Sequence, residues 1–165
     1  MDVRPYAHGE DSEYDDLWEL KRAFELGLGD GTGGDDKRET YEAKLTDEYR
    51  ESYRAWVDRC VDEDGRTIHV AENGEGRLVG YAFVLPASLS MIWDAAVLNE
   101  IYVAPDHRGT GVADELLDAA LDAARAQELP LDRMVLDVDG ENERARAFYE
   151  RFGFTHWGEM VAREL

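Results

Sequence analysis

The stretch Val103-Ala104-Pro105-Asp106-His107-Arg108-Gly109-Thr110-Gly111-Val112-Ala113 sets a small-residue turn between an apolar run and an amphipathic one. A strand that ends there and a helix that begins there leave backbone N–H groups unpaired at a helix N-terminus. The helix dipole adds partial positive charge at the same point. Gly109 and Gly111 carry no side chain to block an approaching ligand, so the turn suits a pyrophosphate. A plain strand-to-helix turn has the same composition, and spacing alone leaves both readings open. A dinucleotide fingerprint would want a third glycine at position 114, which is Asp114. Just upstream, Glu100 lies in the apolar run 96–103, and alternation puts Leu98 and Tyr102 on its face. A carboxylate there is expensive unless paired, hydrated or functional, so it reads as a general base or as half of a structural ion pair. His8, His69, His107 and His156 show no metal-ligand spacing, and no metal is expected.

Composition narrows the partners. The 165 residues carry 38 acids against 18 bases, a formal charge of -20. Nucleic acid and anionic membranes both ask for a basic surface, so neither is expected. The bases comprise 15 Arg and only 3 Lys (Lys21, Lys37, Lys44). An acidic, Lys-poor surface fits life at high salt, where a Debye length of about 3 Å at 1 M screens self-repulsion. At 44% hydrophobic, the chain has the material for one packed domain spanning 1–165. Cys60 has no intrachain partner and reads as a small buried hydrophobe. No secretory leader or membrane span is evident, and a cytoplasmic location is expected.

The elements that must position the turn follow from periodicity. A short strand at 2–6 precedes a helix that Ser12 opens with a capping box, carrying Leu17, Leu20 and Phe24 on one stripe. The Gly- and Asp-rich segment 27–36 reads as a flexible loop; its acids argue against phosphate binding. A second helix starts near Thr46, with Tyr49, Tyr53, Trp56, Val57 and Cys60 on one face. Strands at 67–72 and 77–85 flank Asn73-Gly74, a hairpin signal. A strand at 96–103 stops before Pro105, and the helix after Gly111 carries Val112, Leu116, Leu117, Ala120, Leu121 and Ala124 on one side. A strand at 133–138, a helix at 142–152 and a last strand or strand pair at 154–164 complete the order. This is a mixed α/β sheet with helices on its faces.

The turn resembles the acetyl-CoA motif of the GNAT superfamily of N-acetyltransferases: Arg108, two residues, Gly111, one residue, Ala113. Some thirty residues on, Asn142, Ala145, Tyr149 and Gly153-Phe154 match the family's second motif in order and spacing. The likeness is close over most of 66–157, while the first 64 residues agree only in their strand–helix–helix pattern. It implies a mostly antiparallel sheet with one parallel, splayed strand pair. It further implies that acetyl-CoA is the co-substrate and is held by backbone at Ile101 and Val103. N–H groups from Arg108 through Gly109, Thr110, Gly111, Val112 and Ala113 would take the pyrophosphate. The Arg108 side chain would add charge, or else pair with a local acid. Asn142 would meet the pantetheine arm, cap a helix, or do both. Tyr149 would be the general acid, or simply pack on its helix's apolar side. Some family members place a catalytic Glu on the strand before the turn, which makes Glu100 a candidate base; Asp94, His107 and a water relay are others. Segment 27–36 becomes a candidate lid on the acceptor side. The implied reaction is direct acetyl transfer, in a ternary complex, to a primary amine on a small molecule or peptide; the alternative is an idle acyl-CoA-binding module. Dimers are frequent in the family.

Overall fold

The computed structural model describes residues 1–31 and 34–165. Five strands form one sheet in chain order: β1 (Asp2–Pro5), β2 (Ile68–Glu72), β3 (Leu78–Val84), β4 (Ala96–Val103) and β5 (Met134–Val135). The first four pair antiparallel, and β5 runs parallel to β4. Three helices separate β1 from β2: α1 (Asp11–Gly31), α2 (Gly34–Lys44) and α3 (Asp47–Glu63). Helix α4 (Val112–Arg125) makes the crossover from β4 to β5, and α5 (Glu143–Arg151) follows.

Strand β3 is buried at all seven positions because helices cover both faces of the sheet. On one face, Leu17 and Trp18 of α1 and Val57 and Cys60 of α3 pack on Ile68, Val70, Tyr81 and Phe83. On the other, Val112, Leu116, Leu117 and Ala120 of α4 pack on Ala71, Val79, Ala82, Val84 and Leu98. Gly80 allows the second contact. A Cβ there would lie 3.0 Å from the Tyr102 carbonyl oxygen and 3.1 Å from Leu116 Cδ1. Burial raises the Cys60 thiol to about 11, as befits a core residue.

Several boundaries differ from the sequence expectation. Helix α1 starts at Asp11, so Ser12 lies inside it rather than capping it. Glu13 instead accepts the Ala7 N–H at 2.9 Å and pairs with Arg4 at 2.8 Å. Residues 27–31 and 34–36, expected as loop, continue α1 and begin α2; 32–33 lie outside the described residues. Helix α2 escapes detection because GDDKRETYEAK has no apolar stripe. Thr46 caps α3 as expected, its hydroxyl accepting the Tyr49 N–H at 3.1 Å. The hairpin turn takes its positive φ at Gly76, not Gly74, while Asn73 Oδ1 accepts the N–H groups of Glu75 and Arg77. Strand β5 has two residues instead of six, and 154–165 form no strand. A two-rung edge offers little for a further strand to extend. Phe154 packs on Tyr149 instead, and Trp157 on Trp93 with ring centroids 6.2 Å apart.

Candidate active site

The site begins where β4 and β5 part. Their ladder consists of Ala96 opposite Met134 and Val97 opposite Val135, and stops there. From Leu98 to Val103, β4 runs on with no strand among the described residues on that edge, so Ile101 and Val103 lie beyond the last rung. The chain then turns through Pro105–His107 into Gly109-Thr110-Gly111 and enters α4.

The turn's conformation requires its glycines. Gly109 has φ +74° and Gly111 φ +91°, and open space surrounds the Cβ position of each. Gly111 occupies the N-cap of α4 without a side-chain cap, so the first N–H groups of the helix have no local acceptor. The N–H groups of Gly109, Thr110, Gly111, Val112 and Ala113 donate to no acceptor among the described residues. The Arg108 N–H is different: it donates to the Pro105 carbonyl at 3.2 Å, which removes it from the expected set. The Thr110 hydroxyl donates to the His107 carbonyl at 2.6 Å and so braces the turn. The Arg108 side chain, on an exposed residue, turns to the backbone rather than to a local acid. Its Nε donates to the Val103 carbonyl at 2.9 Å, and its guanidinium lies 5.4 Å from the Tyr102 ring centre.

Helix α5 brings in the second motif. Asn142 caps it, Oδ1 accepting the Ala145 N–H at 3.1 Å. Tyr149 packs between Phe148 and Phe154, at 5.4 and 5.7 Å between ring centres. Burial alone pushes its phenol up to about 12. The two glycine-motif helices are tied together by Arg151 of α5, which grips Asp114 in the first turn of α4 through two bonds of 2.8 and 2.7 Å. Nothing in the motif spacing announces that pair.

Glu100 points the other way, into the face covered by α1 and α3. It is 6% exposed. Oε1 accepts Lys21 Nζ at 2.6 Å and, at 3.4 Å, Asn99 Nδ2. Oε2 accepts the hydroxyls of Tyr53 at 2.9 Å and Tyr81 at 2.8 Å. Burial and the Glu100 charge raise both phenols well above their ordinary value, which keeps them donors. Lys21 also pairs with Glu25 at 2.7 Å, and Glu25 with Lys44 at 3.0 Å. Burial alone would lower the Lys21 ammonium, but Glu100 and Glu25 outweigh it and raise it. Burial likewise works against the Glu25 carboxylate, yet Lys21 and Lys44 hold it below its ordinary value. Sequence reading misses Lys21 and Glu25. The signal was there: Lys21 falls at helical spacing between Leu17 and Phe24, a charge on an apolar stripe.

Glu100 does not share a face with Leu98, as strict alternation predicts. Phe83 lies opposite Glu100 and Val84 opposite Leu98, so Asn99 is an extra residue, a β-bulge. Leu98 packs with α4, while Glu100 and Tyr102 face the α1–α3 layer. His107 lies in the short turn before Arg108, and Asp94 leads into β4 with φ +52°. Among the described residues, no cluster of three His, Cys or acidic side chains converges as a metal site, and no helix is long and apolar enough to cross a membrane.

Comparison with known proteins fits this geometry. Residues 34–154 match the model of the Acetyltransferase (GNAT) family. The chain is 42% identical over 89 residues to mycothiol acetyltransferase of Beutenbergia cavernae, covering 52% of this chain and 27% of that protein. It is 32% identical over 107 residues to L-methionine sulfoximine/L-methionine sulfone acetyltransferase of Pseudomonas aeruginosa, covering 65% and 60% respectively. The chain thus spans less than two thirds of either relative's length. In fold it is similar to ribosomal-protein-alanine N-acetyltransferase of Brucella melitensis, with TM-score 0.70 at 21% identity over 96% of this chain and 86% of that one. It is also similar to an aminoglycoside antibiotic 6'-N-acetyltransferase of Acinetobacter haemolyticus, with TM-score 0.66 at 16% identity over 100% and 98%. With the parted strand pair, the glycine turn and the matched motifs all in place, this chain belongs to the GNAT acetyltransferase family.

Proposed function

We propose that residues 1–165 act as one acetyl-CoA-dependent N-acetyltransferase domain that acylates a primary amine directly within a ternary complex. The observation that carries this reading is the edge of β4 past its last rung with β5, which leads onto a turn whose N–H groups from Gly109 to Ala113 have no acceptor among the described residues. Those residues fit the cofactor. Donors from Gly109 to Ala113 suit a pyrophosphate, and the edge at Ile101 and the Val103 N–H, past the last rung with β5, suits the amides of a pantetheine arm. Arg108 supports that edge by fixing the Val103 carbonyl. Asn142 lies at the start of α5, which Arg151 ties to the turn. Acetyl-CoA supplies an activated thioester; the chain's part is to hold and orient it. Tyr149 keeps a proton at Oη through neutral pH, the state required of an acid serving a departing thiolate. Glu100, with its acceptor positions taken, would have to release a donor before serving as base.

The relatives' names cover an amino-acid analogue, an aminoglycoside and a protein alanine, so the acceptor class stays at an amine of a small molecule or peptide. We read the acidic, Lys-poor composition as suited to high salt, with cofactor binding resting on local backbone donors rather than on the global field.

The test is thiol release from acetyl-CoA across a panel of amines, in wild type and Tyr149→Phe. Turnover with some amine is expected, and loss of the phenol should lower kcat by about 10²-fold or more. Tight acetyl-CoA binding with no turnover on any acceptor would make the chain an idle acyl-CoA-binding module. A Tyr149→Phe variant at wild-type rate would strip the phenol of its role.

A further inference from the structure

We infer that the Lys21–Glu100 ion pair locks the register of the strand that would hold the cofactor, which makes Lys21 a positioning residue for acetyl-CoA. The inference rests on the acetyltransferase reading above. It begins with the bulge. Because Asn99 is an extra residue, the side chains of β4 change sides between Leu98 and Glu100. C-terminal to it, Ile101 and Val103 belong to the α4 layer, and Glu100 and Tyr102 to the opposite layer. A slip of one residue would exchange these sets and turn the free edge beside the glycine turn away from its present position.

Apolar packing alone does not fix this choice, since Leu98, Ile101 and Val103 are all aliphatic and tolerate either layer. Glu100 does not tolerate either. In the α4 layer it would sit among Leu116, Leu117 and Ala120, none of which can donate to it. In the opposite layer it meets donors from three elements: Lys21 of α1, Tyr53 of α3 and Tyr81 of β3. Of these, only Lys21 carries charge, and it is itself 4% exposed. A buried ion pair contributes little net stability but can select one arrangement over another. A carboxylate offers about four acceptor positions, and here Lys21, Asn99, Tyr53 and Tyr81 take them. That occupancy suits an anchor better than a proton acceptor.

The experiment compares wild type with Lys21→Met, Glu100→Gln and the double variant Lys21→Met/Glu100→Met. Acetyl-CoA binding is measured by calorimetry, stability by urea unfolding, kcat/KM against pH by thiol release, and register by amide hydrogen exchange over 98–103. Each single variant should lose stability and bind acetyl-CoA at least about tenfold more weakly. The double variant should regain stability, because no buried charge is left unpaired, yet remain weak in binding and show faster exchange over 98–103. Recovery of binding together with stability would reduce the pair to a structural contact and overturn the inference. Glu100→Gln that binds normally but loses the acidic limb of the kcat/KM profile would overturn it in favour of a base. Should wild type bind no acetyl-CoA, the functional reading fails; exchange over 98–103 still decides the lock, because wild-type protection in the double variant would refute it.

Discussion

On one side of the sheet, α1 and α3 bury Lys21, Glu25 and Glu100 among Tyr53, Tyr81 and a set of apolar side chains. On the other, α4 buries only Val112, Leu116, Leu117, Ala120 and Ala123, and at its N-terminal end the glycine turn leaves backbone donors without an acceptor among the described residues. The first face is directional: each polar group has a named partner at hydrogen-bond distance, and few other arrangements satisfy them all. The second is a close-packed aliphatic layer that asks mainly for volume. The difference separates two tasks. One face sets the register of β4, and the other presses β4 and α4 together so that the turn between them faces outward.

The largest test of this contrast is the removal of one buried group from each face. Glu100→Ala leaves Lys21 buried without its main partner and should cost about 3–5 kcal/mol. Leu117→Ala, at a fully buried position of α4, should cost about 2–5 kcal/mol through its cavity. The contrast lies in the conservative partners. Leu117→Met should cost less than about 1.5 kcal/mol, whereas Glu100→Gln should cost more, because the buried Lys21 keeps only Glu25 of its two carboxylate partners. Urea unfolding reads all four variants. Equal tolerance of the two conservative changes would erase the distinction between the faces.

The same contrast explains what the sequence made legible. Strand β4 is read at its true bounds, 96–103, because a largely apolar run with Val97, Ile101 and Val103 ends two residues before Pro105. Helix α4 is legible for the same reason: its aliphatic face is a local, periodic signal. The glycine turn follows from both. The pairing on the polar face was not legible, because Lys21 and Glu100 are 79 positions apart and nothing local joins them. The bulge at Asn99 escaped too, since alternation has no term for an extra residue. Helix α2 lacks the stripe that periodicity needs, and the missing strands after residue 154 reflect a β5 too short to template them.

Next in size is the glycine turn. Gly111→Ala introduces a Cβ at φ +91°, a conformation that costs an L-residue roughly 1–2 kcal/mol. Space around the Cβ is open, so the loss comes from the backbone rather than from a clash. Acetyl-CoA affinity should fall with it, because the donors are aimed by that φ; Gly76→Ala, in the distant hairpin at φ +77°, should lose similar stability and keep affinity. Calorimetry on both variants gives the answer. A parallel loss of affinity at Gly76 would mean that global stability, not the turn, governs binding.

Smaller again is the alkaline response. Tyr149 is held at about 12 by burial alone, against a reference of about 10 for the unfolded chain. Below about pH 10 both states keep the proton. Between about 10 and 12 the unfolded chain releases it and the folded chain does not, so stability falls as pH rises. Tyr53 and Tyr81 add the same sign, strengthened by the neighbouring Glu100 charge. Tyr149→Phe and Tyr53→Phe should therefore each flatten the alkaline fall in unfolding midpoint. An unchanged alkaline fall in either variant would remove that phenol from the response.

The smallest test uses a pair of helix caps with matching geometry. Thr46 Oγ1 accepts the Tyr49 N–H at 3.1 Å, and Asn142 Oδ1 accepts the Ala145 N–H at 3.1 Å. Each cap satisfies one orphan donor, so Thr46→Ala and Asn142→Ala should each cost about 1 kcal/mol of stability. They belong to opposite layers: α3 packs on the register-setting face, and α5 borders the proposed cofactor cleft. If Asn142 only caps, the two variants should behave alike in every assay. If it also meets the pantetheine arm, Asn142→Ala alone should weaken acetyl-CoA binding, and Asn142→Asp, which keeps the cap but has no amide donor, should weaken it as well. Asn142→Asp with both wild-type stability and wild-type affinity would leave the side chain no duty beyond its helix.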